Sequence, residues 1–387
     1  MGGRWNVAMR NKLTDEFPLK AGLVYLNHAA VGVWPRRTAA AVKAFAEENM
    51  LQGAADYPGW LAVERALRGR LQRLLHATSA DDIALVKNTS EGLSLIACGL
   101  GWKAGDNIVC AAGEFPSNRI VWESLAGQGV ELRQADVRVA DPEAAMLALC
   151  DNRTRLLTVS SVQFGTGLRM DLQRLGEHCK SCGILFCVDA IQSLGALQLD
   201  VEACHADFVV ADGHKWMLGP EGLALFYSRP GAREQLGLTQ FGWHMVEHAG
   251  DFDRADWAPS KTARRFEPGS PNMVGIHALN ASLSLLEDAG MAQVEAAVLS
   301  NAGRLITWAD EQDELQLITP SEAGRYGGIV TFRHRELDLP GHARLYRMLM
   351  ESGVICAHRA GGIRLSPHFY SDAEAFFPLW EKTLKAL

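Results

Sequence analysis

The chain alternates. Between residues 38 and 285, short apolar runs (DIALV, NIVCA, VELRQA, RLLTVSSV, ILFCVDA, DFVVAD and LALFYS) are separated by stretches of helical spacing that close near a glycine. EGLSLIACGLG, NRIVWESLAGQG and DLQRLGEHCKSCG are such stretches. Short apolar strands alternating with helices point to βαβ units. The pattern therefore predicts an α/β fold: a mostly parallel sheet flanked by helices, joined by right-handed connections. Beyond about residue 280 the pattern changes. A long helical stretch, GIHALNASLSLLEDAGMAQVEAAVLSNAGRLITWADEQ, leads to IVTFRH, GHARLYRMLMES, VICAHRAGGIRLSP and SDAEAFFPLWEKTLKAL. These predict a smaller C-terminal α+β domain. The organisation expected is an N-terminal arm over 1–20, a large domain over 21–280 and a small domain over 281–387. The arm is expected to pack on the small domain or on a partner chain.

Bulk properties exclude several classes of function. At 387 residues and 48% hydrophobic, the chain can bury a core without disulfide staples. Its formal net charge is −7, with both signs mixed along the chain. That is neither a nucleic-acid footprint nor a polybasic membrane patch. No apolar run approaches the ~20 residues of a membrane helix, and the first residues lack a signal core. The opening Met-Gly-Gly is followed by Trp5-Asn6, which does not continue an acylation pattern. Eight cysteines scattered among apolar residues fit reduced thiols in a cytoplasmic protein. Cys179 and Cys182 form one close pair with no second pair to complete a metal site, and read as a helix end before the strand ILFCV.

Six stretches carry chemistry. In VVADGHKWMLGPEG, an apolar run breaks at Asp212-Gly213 and delivers His214, Lys215 and Trp216. Burial lowers a lysine's pKa and makes its amine a usable nucleophile, able to form a Schiff base with an aldehyde. Asp189 closes ILFCV, where ligands of a parallel sheet gather outside the strand ends. A carboxylate there can keep the pyridinium nitrogen of pyridoxal phosphate protonated, making the ring an electron sink. It can equally be a helix N-cap. Gln192, three residues on, can donate to the ring hydroxyl.

In VKNTSEGLSLIACGL, Asn88, Thr89 and Ser90 open a helix, which suits a phosphate or an ordinary cap. His214 is either a further phosphate contact or a structural histidine. Phe115, in GEFPSNRIVW, can lie flat on a cofactor ring or pack in the core. RRFEPGSPN is loop chemistry. In GGIRLSPHFY, Arg364 can clamp a substrate carboxylate bidentately or lie on a surface strand.

Taken in order, these stretches resemble the class V aminotransferase group of fold-type I pyridoxal-phosphate enzymes, which includes cysteine desulfurases, kynureninases and isopenicillin N epimerase-like proteins. The resemblance runs from VYLNHAAVGVWP to RLSPHFY, and VDAIQSLG, DGHKWMLGPEG and RFEPGSPN are its most specific pieces. It implies a fold-type I large domain and pyridoxal 5'-phosphate as cofactor. It assigns Lys215 to the Schiff base, Asp189 to the pyridinium nitrogen and Gln192 to the ring hydroxyl. Thr89, Ser90 and His214 fall on the phosphate side, and Phe115 on the ring face. Ser270 matches a hydroxyl that reaches the phosphate of a neighbouring subunit, which implies a homodimer with sites at its interface. Arg364 matches the substrate-carboxylate arginine, and Asn27, His28 and Ala29 lie in a turn that lines the substrate pocket.

The departures from that pattern bear on function. Desulfurases stack a histidine where this chain has Phe115, and carry a catalytic cysteine on a loop before the carboxylate arginine. Here that stretch is AHRAGGIRLS, without a cysteine; Cys356 lies eight residues before Arg364. Asp212 stands where many relatives place a phosphate-binding hydroxyl, so it turns away or serves the lysine. The expectation is an enzyme acting at the α-carbon of an amino acid, of aminotransferase or C–S (β-elimination) lyase type, with Lys215 as base. Cysteine desulfurase and amino-acid epimerase are the alternatives within the family. A non-catalytic binding protein on the same fold is the alternative outside it. Trp34, Tyr57, Trp60, Gln163, Trp243 and His244 are candidates for shaping the pocket, each with a core or loop reading beside it.

Overall fold

The computed structural model describes residue 13 and residues 15–387, so Trp5, Asn6 and most of the expected arm lie outside the described residues. Strands are numbered in chain order. β1 (Val24–Tyr25) comes first. It is followed by β2 (Ile83–Val86), β3 (Asn107–Ala111), β4 (Glu131–Ala135) and β5 (Thr154–Ser160). Next are β6 (Leu185–Asp189), β7 (Phe208–Asp212) and β8 (Ala224–Ser228).

All seven apolar runs become strands of one sheet, in the order β2-β8-β7-β6-β5-β3-β4. β4, β3, β5, β6 and β7 are parallel neighbours, while β8 runs antiparallel to both β7 and β2. The interior strands β3, β6, β7 and β8 are buried along their whole length, and β5 everywhere but Arg155, because both faces are covered. Alternate residues feed two cores. Leu157, Phe186, Val188 and Val209 face one; Leu156, Leu185, Cys187, Phe208 and Val210 face the other. Edge strand β4 is charged instead: Arg133 pairs with Glu131 and Asp151, which blunts the open edge.

On the first face the helices Arg36–Gln52 and Tyr57–Leu75 pack against the helix Met273–Ala289. On the second lie the helices Thr89–Gly99 and Ser117–Glu123. Of those cited here, the helices 57–75, 89–99 and 273–289 start on a side chain that accepts from the first turn: Asp56, Asn88 and Asn272.

The long helical stretch after residue 273 is two helices, not one. Gly290, at φ +80°, ends the first, and the helix Met291–Asp310 turns away to pack on a second sheet. That sheet is antiparallel, ordered β12-β13-β10-β9, from β9 (Leu315–Leu317), β10 (Val330–His334), β12 (Ala357–Arg359) and β13 (Gly362–Leu365). β11 (Val354–Ile355) pairs in parallel with β1, which ties the segment before the large sheet to the small unit. A separate core around Leu305, Phe332, Phe376 and Trp380 holds this unit, to which Leu26 also belongs. Among the described residues, no helix is long and apolar enough to cross a membrane.

Candidate active site

β5, β6 and β7 are parallel, so Ser160, Asp189 and Asp212, their last residues, open at one edge of the sheet. Asp189 is 1% exposed, in register with Ser160 on one side and Val210 on the other. Its Oδ1 accepts the Ile191 N–H at 3.1 Å. Burial raises its pKa above the usual carboxylate range. Glu114 adds to the rise, and Lys215 opposes it.

Lys215 sits three residues past β7 and is 8% exposed. Burial lowers its pKa, and Arg364 and Arg359 reinforce the shift; Asp189 and Asp212 oppose it. Phe115 and Phe164 link the lysine to Arg364, which donates to Phe164 O. The lysine Nζ lies 5.5 Å from the centroid of the Phe115 ring, which meets the Phe164 ring edge-on at 5.2 Å.

The tight turn around Lys215 is locked from several sides. Gly32 N–H donates to His214 O at 2.6 Å, and a Cβ on Gly32 would lie 2.2 Å from Lys215 O, so only glycine fits there. Trp216 is fully buried; its Nε1 donates to Gln192 Oε1 at 3.2 Å, and its carbonyl accepts from His368 Nε2 at 2.9 Å. The tryptophan is thus the anchor and the lysine the projecting group.

Gln192 also donates Nε2 to Ala29 O at 3.1 Å, leaving one amide hydrogen uncommitted. His214 Nδ1 lies 3.2 Å from Asp212 Oδ1, misaligned for a hydrogen bond, so Asp212 is turned toward the histidine. Thr89 is buried at the N-terminus of its helix, while Ser90 is exposed and its Oγ donates to Ser117 Oγ at 2.8 Å.

Arg364 is 2% exposed on β13, with Nη1 donating to Phe164 O at 2.8 Å. Burial, then Arg359, brings its pKa down to about 10. This side chain is no surface arginine.

Two expected residues stand apart from the cleft. His28 is fully buried: Nδ1 donates to Ser366 O at 3.0 Å, Nε2 accepts from Tyr370 OH at 2.8 Å, and burial holds its pKa down to about 4. Its ring fastens the N-terminal turn to the 366–370 segment rather than lining a pocket, a correction that leaves Asn27 as the residue of that turn with a free acceptor. Ser270 is exposed in a separate groove of about 340 Å³ with Lys87, Glu91 and Gly222.

Of the six pocket-shaping candidates, Gln163 lines a cavity of about 720 Å³, together with Phe164, Gly113 and Ala360. Trp60 and Tyr57 instead pack with the core helices, His244 is buried against Glu267 O, and Trp34 donates to Gly219 O. Trp243 meets Phe252 on the surface.

Glu114 was not foreseen. It is a buried acid beside Phe115 whose charge acts on Asp189. Only its place between Gly113 and Phe115, just past β3, could have drawn attention to it.

The polar atoms left over test whether a cofactor fits. Buried polar atoms are almost always paired, since each orphan costs about 1–3 kcal/mol. Asn27 Oδ1, Thr89 Oγ1, Asp212 Oδ1, His214 Nδ1 and Arg364 Nε have no hydrogen-bond partner among the described residues. A hydroxyl for a phosphate and a guanidinium for a carboxylate suit pyridoxal phosphate carrying an amino acid.

The cysteines lie elsewhere. Cys356 is 1% exposed in the small unit's core, and burial pushes its thiol up to about 12. The β12–β13 turn is Ala360-Gly361, at φ +50° and +72°. The exposed thiols are Cys98 and Cys182, on the helices Thr89–Gly99 and Leu172–Cys182, while Cys179 is buried.

A buried lysine and a buried acid just past parallel strand ends, on a sheet of this kind, suit the pyridoxal-phosphate enzymes as a class. The family model described as aminotransferase class-V matches residues 24–375, and the chain belongs to that family. A probable cysteine desulfurase of Methanothermobacter thermautotrophicus is 29% identical over 380 residues, 93% of either chain. Among solved structures, an apo cysteine desulfurase from Thermococcus onnurineus aligns over 100% of both chains, with a TM-score of 0.86 at 23% identity. The cystine C–S lyase C-DES, in complex with its product cysteine persulfide, aligns over 95% of this chain and 98% of its own, with a TM-score of 0.86 at 22% identity. The last two likenesses are likenesses of fold.

Proposed function

We propose that this protein is a C–S lyase that eliminates the β-sulfur substituent of a cysteine-type amino acid without passing sulfur to a thiol of its own. The observation that carries the reading is the make-up of the cleft. Lys215 lies against Phe115, Arg364 reaches the carbonyl of the neighbouring Phe164, and buried Asp189 ends β6, while the thiol nearest in sequence to Arg364, Cys356, is sealed in another core. The resemblance of the fold to that of a cystine C–S lyase supports it.

Pyridoxal phosphate, when bound, supplies an aldehyde for the lysine amine and a ring that draws electrons from the substrate α-carbon. Asp189 holds the ring nitrogen's proton, and Phe115 offers its ring as a platform. Thr89, Ser90 and His214 hold the phosphate, joined by Ser270 of a second copy; in this reading the enzyme is a homodimer. Gln192 turns its spare amide hydrogen to the ring hydroxyl. Arg364 binds the substrate carboxylate, and Asn27 borders it. Lys215 Nζ, whose pKa burial brings down to about 8, would as the free amine take the α-proton and return it to the departing sulfur as the Cβ–S bond breaks. Hydrolysis of the remaining three-carbon enamine gives pyruvate and ammonium. The 720 Å³ cavity beside Gln163 and Phe164 has room for a bulky group on sulfur. Eight unpaired cysteines support a reducing, cytoplasmic setting.

The test is product analysis with cystine and with S-substituted cysteines. Pyruvate and ammonium in equal amounts, with the sulfur in a small thiol or persulfide, are expected. A keto acid that keeps its sulfur, or a racemised amino acid, would refute elimination. The desulfurase relatives favour a second reading, in which sulfur passes to a thiol; a persulfide trapped on the protein by alkylation would support that reading instead.

A further inference from the structure

The turn that carries Lys215 is strained. Leu218, fully buried, holds φ +59°, in the left-handed region that residues other than glycine enter at a cost. Such a conformation persists only where its surroundings over-determine it. Within the turn, Leu218 N–H donates to Lys215 O at 3.1 Å and Gly219 N–H to Gly213 O at 2.8 Å. Four further carbonyls of the turn are held from distant segments. His214 O takes the Gly32 N–H. Leu218 O accepts from Ser282 Oγ at 2.8 Å, and Gly219 O from Trp34 Nε1 at 2.9 Å. Trp216 O accepts from His368 Nε2 at 2.9 Å.

Of these four donors, only His368 comes from the small unit. It lies three residues past β13, the strand that carries Arg364. The residue is fully buried, and its own backbone is anchored there: His368 N–H donates to Ser371 Oγ at 2.9 Å, and His368 O accepts from Asn301 Nδ2 at 2.9 Å, on the helix Met291–Asp310. On the ring, Nδ1 meets the Phe369 N–H at 2.8 Å. A backbone N–H can only donate and a carbonyl can only accept, so Nδ1 is the bare nitrogen and Nε2 carries the hydrogen. The neutral imidazole is a fixed donor aimed at the residue that follows Lys215.

We propose that His368 is a positioning residue: its Nε2–H bond to Trp216 O holds the strained Lys215 turn and sets it against the unit that carries Arg364. The hold on the turn stands on these contacts alone, while its consequence for turnover rests on the C–S lyase reading. Without the bond the amine loses its orientation, and Arg364, on its own strand, keeps the substrate carboxylate.

Two substitutions divide the two ring contacts. His368→Gln keeps an N–H where Nε2 stands and gives up the acceptor for Phe369 N–H. His368→Asn keeps an oxygen near Nδ1 and is too short to reach Trp216 O. In hydrogen–deuterium exchange of the cofactor-free protein, the amides of 213–219 should exchange about tenfold faster in His368→Asn and at the wild-type rate in His368→Gln. With pyridoxal phosphate bound and cystine as substrate, kcat should fall about tenfold in His368→Asn with KM within about twofold, and return close to wild type in His368→Gln.

Wild-type exchange of 213–219 in His368→Asn would overturn the proposal. So would exchange in His368→Gln as fast as in His368→Asn, because the imidazole would then serve its own segment and not the lysine turn. If His368→Asn fails to fold, His368→Gln decides alone: wild-type exchange supports the hold on the turn, and faster exchange refutes it. If wild type takes up no cofactor or leaves cystine intact, the functional reading fails while the exchange rates still decide the role of His368.

Discussion

The two ends of the large sheet treat buried charge in opposite ways. At the end where β2 and β7 begin, Asp82 meets Arg233 at 2.9 Å, both side chains 7% exposed. Asp207 there is clasped by Arg229 and also accepts the Phe186 N–H at 2.9 Å. At the other end, Lys215 feels the charges of Asp189, Arg364 and Asp212, yet no ion pair joins Lys215 or Arg364 to an acid among the described residues. Paired charges hold the fold. Charges left short of partners, at a cost of a few kcal/mol, are poised for a ligand.

Substitutions should separate the two ends. Lys215→Ala removes the base and should cut turnover by about 10²–10⁴-fold. Its cofactor-free form should melt no lower than wild type, because a poorly solvated cation has gone; a clear loss in Tm would make Lys215 structural. Asp82→Ala strands a buried guanidinium and should cost about 3–5 kcal/mol in urea unfolding, with turnover per folded molecule unchanged. Arg364→Ala should weaken substrate by about 2 kcal/mol, roughly thirtyfold in kcat/KM, with little change in cofactor affinity. Equal loss of both would place the arginine on the cofactor.

The pH dependence follows from the shifted groups. The pKa of Asp189 is raised above 3.8 on folding, so across that window the native state binds more protons than the unfolded one, and stability falls as pH rises. The pKa of Lys215 is lowered below 10.5, so in its window the unfolded state binds more protons and stability climbs with pH. Cofactor-free Asp189→Asn should therefore gain stability over wild type from acid toward neutral pH, checked by Tm against pH. A constant offset would mean that Asp189 does not titrate there. The smallest effect is expected from Cys356→Ala: about 1 kcal/mol of core packing and no change in turnover or sulfur release. Loss of sulfur release in that variant would favour a thiol-borne route.

The sheet was legible because strands covered on both faces must read as apolar runs; the charged edge strand β4 was legible only from its place in the alternation. Asp189 and Arg364 drew attention in the sequence because each interrupts an apolar run with a charge, and Lys215 because it follows directly on the break at Asp212-Gly213. Strand direction was not: nothing in LALFYS distinguishes the antiparallel β8 from its parallel neighbours. Nor was the break at Gly290, a residue that fits a helix end or a helix interior until packing decides. His28 and Glu114 depend on contacts from distant segments, Ser366 and Tyr370 for one and Ser160 and Gln163 for the other, which no local pattern displays.

The central claim is that Lys215 is the amine that receives the cofactor aldehyde. Purified protein loaded with pyridoxal phosphate, reduced with borohydride and mapped by mass spectrometry should carry the phosphopyridoxyl group on the peptide containing Lys215. Labelling of Lys87 or Lys261 in its place, or no label on a protein that binds the cofactor, would contradict the account.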